Sequence, residues 1–124
     1  FCAYQLGLLG AEVIKIEKPG RGESIRWRRE ADPAFGKGGM SLGFMTQSAN
    51  KRFLTLDIDK PEGREIFLKL AAGADVVVQN LRSGSAEKRG IGYDDVRAVN
   101  PRAVFCSITA YGNTGPKRRH PAYD

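Results

Sequence analysis

The stretch ADVVVQNLRSG, residues 74–84, decides the fold. Val76, Val77 and Val78 form an unbroken β-branched run, the pattern of a strand covered on both faces. The run stops at Gln79 and Asn80, and Arg82, Ser83 and Gly84 follow at once. An amide, a guanidinium and a flexible turn thus stand where an apolar strand ends. The flanking sequence says what kind of sheet this strand belongs to.

Upstream, Ile66, Phe67, Leu70 and Ala71 recur at helical spacing, with Pro61 and Glu62 in the first turn and Gly73 as the stop. Asp59 is expected to cap the start of that helix. Downstream, short helices are expected over Ser85–Arg89 and Tyr93–Val99, with Pro101 just beyond. AVFCSIT (Ala103–Thr109) reads as a further strand, apolar on both faces like residues 75–79. GNTGP (Gly112–Pro116) is a turn-rich loop. Toward the amino end, EVIKIE (Glu12–Glu17) alternates as a strand and KPGRG (Lys18–Gly22) turns. Residues 1–9 read as the tail of a buried helix, with Gly10 past its end. RFLTLDI (Arg52–Ile58) is another strand. Residues 23–49 are glycine-interrupted and irregular, with a short helix around Met40–Ser48. Helix and strand alternate throughout. The fold class is α/β, a Rossmann-like open and mostly parallel sheet with helices on both faces. Its crossovers are expected to be right-handed.

In open sheets of this type, ligands sit beyond the carboxyl ends of the strands. Lys18 follows the first strand and Asp57 to Lys60 the second. Asn80 and Arg82 follow the third, and Thr109, Tyr111 and Asn113 the fourth. Polar and basic groups therefore recur along one edge, which suits a phosphate-bearing ligand. Backbone amides opening Ser85–Arg89 and Pro61–Ala72 add further donors.

The chain has 124 residues, 41% of them hydrophobic, so it can build a core and is not disordered by composition. Its net charge is +6, gathered in RWRRE (26–30), NKR (50–52), EKR (87–89) and KRRH (117–120), runs that most often form solvated surface. No apolar run approaches the roughly 20 residues of a bilayer span. Cys2 and Cys106 sit in apolar settings and read as reduced core thiols. With one histidine, His120, a zinc site or a hydrolytic triad has no support. G-x-G-x-x-G and P-loop motifs are absent at the expected places, which disfavours a standard NAD or ATP enzyme. Helix-turn-helix and RNP-like patterns are absent too. The chain opens on Phe1 directly in helical sequence, so it is expected to be a piece of a longer protein.

LGAEVIKIEKPGRGE, NKRFLTLDIDKPEGREIFLKL, ADVVVQNLRSG, GIGYDDVRAVNPRAVFCSITAYGNTGP and PAYD, in this order, resemble the amino-terminal region of the CaiB/BaiF family. These are the class III, formyl-CoA-transferase-like CoA-transferases and related acyl-CoA racemases, and the resemblance covers essentially the whole chain. It implies that residues 1–124 are an incomplete amino-terminal Rossmann-like domain that binds coenzyme A. The rest of that domain and a smaller domain would lie outside the chain, and two subunits would interlock as a homodimer. It implies CoA transfer from an acyl-CoA to a carboxylic acid through an aspartyl-acyl anhydride. From the cysteine usage, the single histidine and the absent spans and motifs, a cytoplasmic protein with no metal, no nucleic-acid partner and no membrane partner is expected.

Carried over by position, Lys18 falls where the family places a basic residue against CoA. Leu56, Asp57, Ile58 and Asp59 fall on an LDLK-like segment near the nucleotide, with Asp59 replacing the usual Lys. Asn80, Leu81 and Arg82 match an N-F-x-P-G segment along the CoA channel, with Ser83 where Pro is common. Lys88 stands where an Arg often meets phosphate. Pro121, Ala122, Tyr123 and Asp124 match the segment leading into the active site. No catalytic residue is assigned here. The family's nucleophilic Asp is expected in a Gly-Asp motif beyond Asp124, and a CoA-cradling AGP-type loop ahead of Phe1. The chain alone is accordingly expected to be inactive. Family racemases carry a catalytic His where this chain has Tyr123, and Tyr, with an ordinary pKa of about 10, is a poor base at neutral pH. That favours transfer. The rival readings are a racemase or dehydratase of the same family and a basic nucleic-acid-binding module.

Overall fold

The computed structural model describes residues 1–27 and 40–120. The chain divides into two compact units, Phe1–Asp57 and Ile58–Asp124.

The first unit runs α1 (Cys2–Leu8), β1 (Ile14–Glu17), a 3-10 turn (Ser24–Trp27), α2 (Leu42–Ser48) and β2 (Arg52–Thr55). β1 and β2 pair in parallel, Ile14 opposite Arg52 through Glu17 opposite Thr55. The pairing extends at both ends, Arg52 N donating to Val13 O at 2.8 Å and Leu56 N to Glu17 O at 2.9 Å. Gly10, with φ +97°, ends α1 as expected. The loop before β2 is pinned by Asn50, whose φ of 57° is left-handed and whose Nδ2 donates to Gly7 O at 2.9 Å. α2 is capped by the fully buried Ser41. Its Oγ accepts from Phe44 N at 3.1 Å and donates to Ile25 O at 2.5 Å. Phe44 and Leu56 are the buried apolar residues of this unit. α1 departs from the expectation of a buried helix. Only Gly7 is buried in it, and Leu8 and Leu9 are exposed, because no described element of this unit covers that face.

The second unit runs α3 (Pro61–Ala72), β3 (Val76–Gln79), α4 (Ser85–Lys88), α5 (Tyr93–Val99) and β4 (Val104–Ser107). β3 and β4 pair in parallel from Val76 opposite Val104 to Gln79 opposite Ser107. Ala71, Ala86, Ile91 and Val96 form the buried core, where α3 and α4 meet α5. Asn100 ties the end of α3 to the start of β3, its Nδ2 donating to Ala71 O at 3.0 Å and Ala74 O at 2.9 Å. The fold is thus α/β with short parallel strand pairs and helices. β3 and β4 are less covered than their composition predicts. Val76 is 40% and Val104 61% exposed, because each strand has a single hydrogen-bonded neighbour.

Asp59 is not the cap expected from sequence. Lys60 takes that place with extended backbone, and the Asp59 carboxylate instead accepts from Arg89 Nε at 2.7 Å. An arginine thirty residues downstream outcompetes the local backbone amides for this oxygen.

Candidate functional site

The abrupt end of β3 has a structural cause in Gln79. Its Nε2 donates to Ser107 Oγ at 2.6 Å, joining the carboxyl ends of β3 and β4. Its Oε1 accepts from Leu81 N at 2.7 Å, which fixes the turn that follows. Arg82 O then accepts from Ser85 N at 2.9 Å, and Gly84, at φ +78°, is left-handed just before α4. Arg89 closes this segment by donating from Nη1 to Ser85 O at 3.0 Å while it pairs with Asp59.

On the other strand, Gly112 and Gly115 adopt positive φ, +77° and +85°, and turn the chain after β4. The returning segment is organised around Tyr111. His120 stacks edge-on to its ring at 6.4 Å, and Lys117 Nζ lies 5.9 Å from the ring centre.

The β3 and β4 loops enclose a cleft of about 450 Å³. Arg82 and Ser83 line it from the turn after β3, Lys88 from α4, and Asn113, Arg118 and Arg119 from the loop after β4, with Glu87 the sole carboxylate among the described residues. Among the described residues, Arg82, Lys88, Arg118 and Arg119 form no ion pair. The cleft therefore holds, among the described residues, four cations without an ion pair against one acid. Such a surface binds a compact polyanion, since arginine forks match phosphate oxygens bidentately.

The sequence-derived site residues divide. Arg82 and Lys88 share the cleft. Asn80, exposed, and Leu81, half-buried, precede it without lining it. Ile58 is half-buried and Asp59 is paired with Arg89. Lys18, Leu56 and Asp57 belong to the first unit, where Leu56 is buried in the core. Pro121, Ala122, Tyr123 and Asp124 lie outside the described residues.

Sequence reasoning missed Arg118 and Arg119, which it grouped with ordinary surface charge. Their position on a glycine-rich loop after the last strand was the available signal. Arg26, in another basic run, proves structural. Its Nε donates to Glu17 Oε2 at 2.6 Å and its guanidinium lies 3.8 Å from the Phe44 ring centre. Nearby, burial, reinforced by the charge of Lys15, holds the Lys51 ammonium below the usual lysine value of 10.5.

Among the described residues, no group of three or more His, Cys, Asp or Glu side chains gathers as a metal site. No described helix is long and apolar enough to cross a membrane.

The sequence model of CoA-transferase family III matches residues 1–124. The chain belongs to this family. It is 41% identical over 123 residues to the beta subunit of succinyl-CoA–L-malate CoA-transferase from Chloroflexus aurantiacus, covering 99% of this chain and 29% of that protein. It is 40% identical over 125 residues to human succinyl-CoA:glutarate CoA-transferase, covering 100% of this chain and 27% of that one. The crystal structure of a CaiB/BaiF family protein from Brucella suis superposes with a TM-score of 0.86 at 38% identity, covering 98% of this chain and 32% of that one. The chain thus spans under a third of the length of these family III relatives.

Proposed function

We propose that this chain is the incomplete, Rossmann-like CoA-binding part of an enzyme that moves CoA from an acyl-CoA donor to a carboxylic acid. The basic cleft holds the phosphate-bearing end of the coenzyme. The observation that carries this reading is the convergence of four unpaired cations beyond the carboxyl ends of β3 and β4. The donor set fits the ligand, because a diphosphate needs several charge-assisted donors within one small volume. Lys18, Leu56, Asp57, Ile58 and Asp59 supply further contacts to the nucleotide, and Asn80 and Leu81 to the channel. Pro121, Ala122, Tyr123 and Asp124 lead toward the reacting centre. Transfer runs through an aspartyl carboxylate beyond Asp124. That oxygen attacks the thioester carbonyl and expels CoA thiolate, giving a mixed anhydride. The retained thiolate attacks the aspartyl carbonyl, releasing the donor acid and leaving an aspartyl thioester. The acceptor carboxylate attacks that thioester and expels the thiolate again. The thiolate then attacks the acceptor-derived carbonyl of the second anhydride, forming the new thioester and restoring the aspartate. The free thiols Cys2 and Cys106 accord with a cytoplasmic protein, which we take to work as a homodimer without metal.

Calorimetric titration of the protein that carries this chain tests the reading. Arg82→Ala and Lys88→Ala should each weaken CoA binding about tenfold, the contribution of one charged hydrogen bond. Unchanged affinity in both variants removes the assigned cleft. A parallel titration with an oligonucleotide at two salt concentrations separates the main rival. Salt-sensitive oligonucleotide binding without CoA binding would replace an enzyme with a nucleic-acid module. The relatives named for succinyl-CoA make that thioester the first donor to assay.

A further inference from the structure

We infer that Lys51 is an acyl-acceptor site, a side-chain amine that takes the acyl group of a thioester and keeps it as an amide. Lys51 belongs to the first unit and stands outside the residues assigned to the coenzyme. Its acyl donor comes from the CoA reading above, on which the inference rests for that alone.

The backbone presents this amine in a fixed place. Lys51 directly precedes β2, and the ladder already holds it, since Arg52 N donates to Val13 O at 2.8 Å. On its other side, Asn50 is left-handed and donates from Nδ2 to Gly7 O at 2.9 Å. Lys15 is opposite Phe53 and Lys51 is two residues before Phe53, so Lys15 and Lys51 share one face of the pair. Lys51 Nζ donates to Gln47 O near the end of α2. The residue is half-buried and lines an open cavity of about 450 Å³ with Glu12, Asn50 and Arg52, before the amino ends of β1 and β2. That cavity leaves room for an incoming acyl group beside the amine.

A lysine becomes a nucleophile when it is desolvated or set beside another cation. Lys51 meets both conditions. Burial first, and then the charge of Lys15, lower its pKa from the usual 10.5, while Glu23 acts in the opposite sense. Glu23 is itself paired with Lys15, Glu17 with Lys15 and Arg26, and Glu12 with Arg52 at 2.9 Å. These acids are thus matched to other cations, and α2 carries no charged side chain. The reaction balances without a further reagent. The amine lone pair attacks the thioester carbonyl, a C–N bond forms and the C–S bond breaks. The thiolate leaves with the bonding electrons and takes up the proton that nitrogen sheds, so the products are an amide and a thiol. The amide keeps one N–H for Gln47 O, and the like charge beside Lys15 disappears, so the fold tolerates the product.

The protein that carries this chain is incubated with acetyl-CoA and, separately, with the acetyl thioester of N-acetylcysteamine, which has no nucleotide. Peptide mass spectrometry reads the acetylation rate at Lys51 against the exposed Lys60 and Lys69 of the same molecules. Near neutral pH, Lys51 should react several-fold faster with either reagent, because a pKa lower by one unit raises the free-amine fraction about tenfold. Its lead should vanish as the pH climbs toward 10.5, where ordinary lysines lose their protons too. A rate at Lys51 no higher than at Lys60 and Lys69, or a lead that stays constant with pH, overturns the inference. Preferred labelling of Lys51 by the nucleotide-free thioester in a protein that binds no CoA would remove the CoA reading and keep this site.

Discussion

Arg26 and Arg82 show how differently two arginines from basic runs can act. Both look like surface charge in sequence. Arg82 follows a strand and lines a cleft without an ion pair among the described residues. Arg26 is spent inside the first unit, between the Glu17 carboxylate and the Phe44 ring. Glu17 is only 8% exposed in its side chain, and its carboxylate is partnered by Arg26 and by Lys15, 3.3 Å from Oε1. Removing one partner of such a pair leaves a carboxylate poorly solvated, which costs more than the pair itself contributes. Arg26→Ala should therefore destabilise β1 and β2 by about 2 kcal/mol, seen as roughly thirtyfold faster amide exchange at Leu56 N. Exchange unchanged at that amide would mean that Lys15 and water suffice for Glu17. Sequence gave no sign of this cluster, because its members touch only after the 3-10 turn has formed. The Asp59 cap was misjudged for a related reason. Local rules rank the nearest amide first, and a charged donor thirty residues away took its place.

Elements were more legible than contacts. Among the described residues, every strand and α-helix lies within or beside a segment expected from the sequence, the 3-10 turn at Ser24–Trp27 falls in a stretch read as irregular, and each strand is shorter than expected by one or more residues. Expected strands over 52–58 and 103–109 close at Thr55 and Ser107, since a parallel ladder lasts only as long as its shorter partner. The Ser41 cap itself is local, its Oγ accepting from Phe44 N, whereas the bond that ties the same hydroxyl to Ile25 spans sixteen residues and was not legible. Gln79 lies at the junction of the two levels. Apolar patterning placed it at a strand end, while its bridge to Ser107 and its hold on Leu81 N required the register of β3 against β4. Gln79→Ala removes two hydrogen bonds from a half-buried position, a loss of about 2 kcal/mol. Its consequence should be local. Amides of Leu81 and Ile108 should exchange faster, and CoA affinity should fall because Arg82 is less well positioned. Gln79→Glu preserves the acceptor for Leu81 and should recover part of the affinity. Equal behaviour of both variants would deny the turn-fixing role.

At the scale of the chain, the two parallel pairs raise a question of independent stability. Parallel sheets are normally covered on both faces, and a two-stranded sheet is marginal in water. Among the described residues, each pair has two strands, and the buried apolar set is Phe44, Leu56, Ala71, Ala86, Ile91 and Val96. Two of those six are alanines, which contribute little apolar area. Against them stand exposed large apolar residues in both units: Phe1 at 73%, Leu9 at 84% and Val104 at 61%. A net charge of +6 adds self-repulsion in the absence of an anion. The 124-residue chain on its own should consequently melt broadly, bind a hydrophobic dye before heating, and gain stability when a polyanion such as CoA is added. Calorimetry with and without ligand checks the first and the third, and dye fluorescence before heating checks the second. A sharp cooperative transition, with calorimetric and van't Hoff enthalpies equal and no dye binding, would show that these six buried residues and two short ladders make a self-sufficient fold.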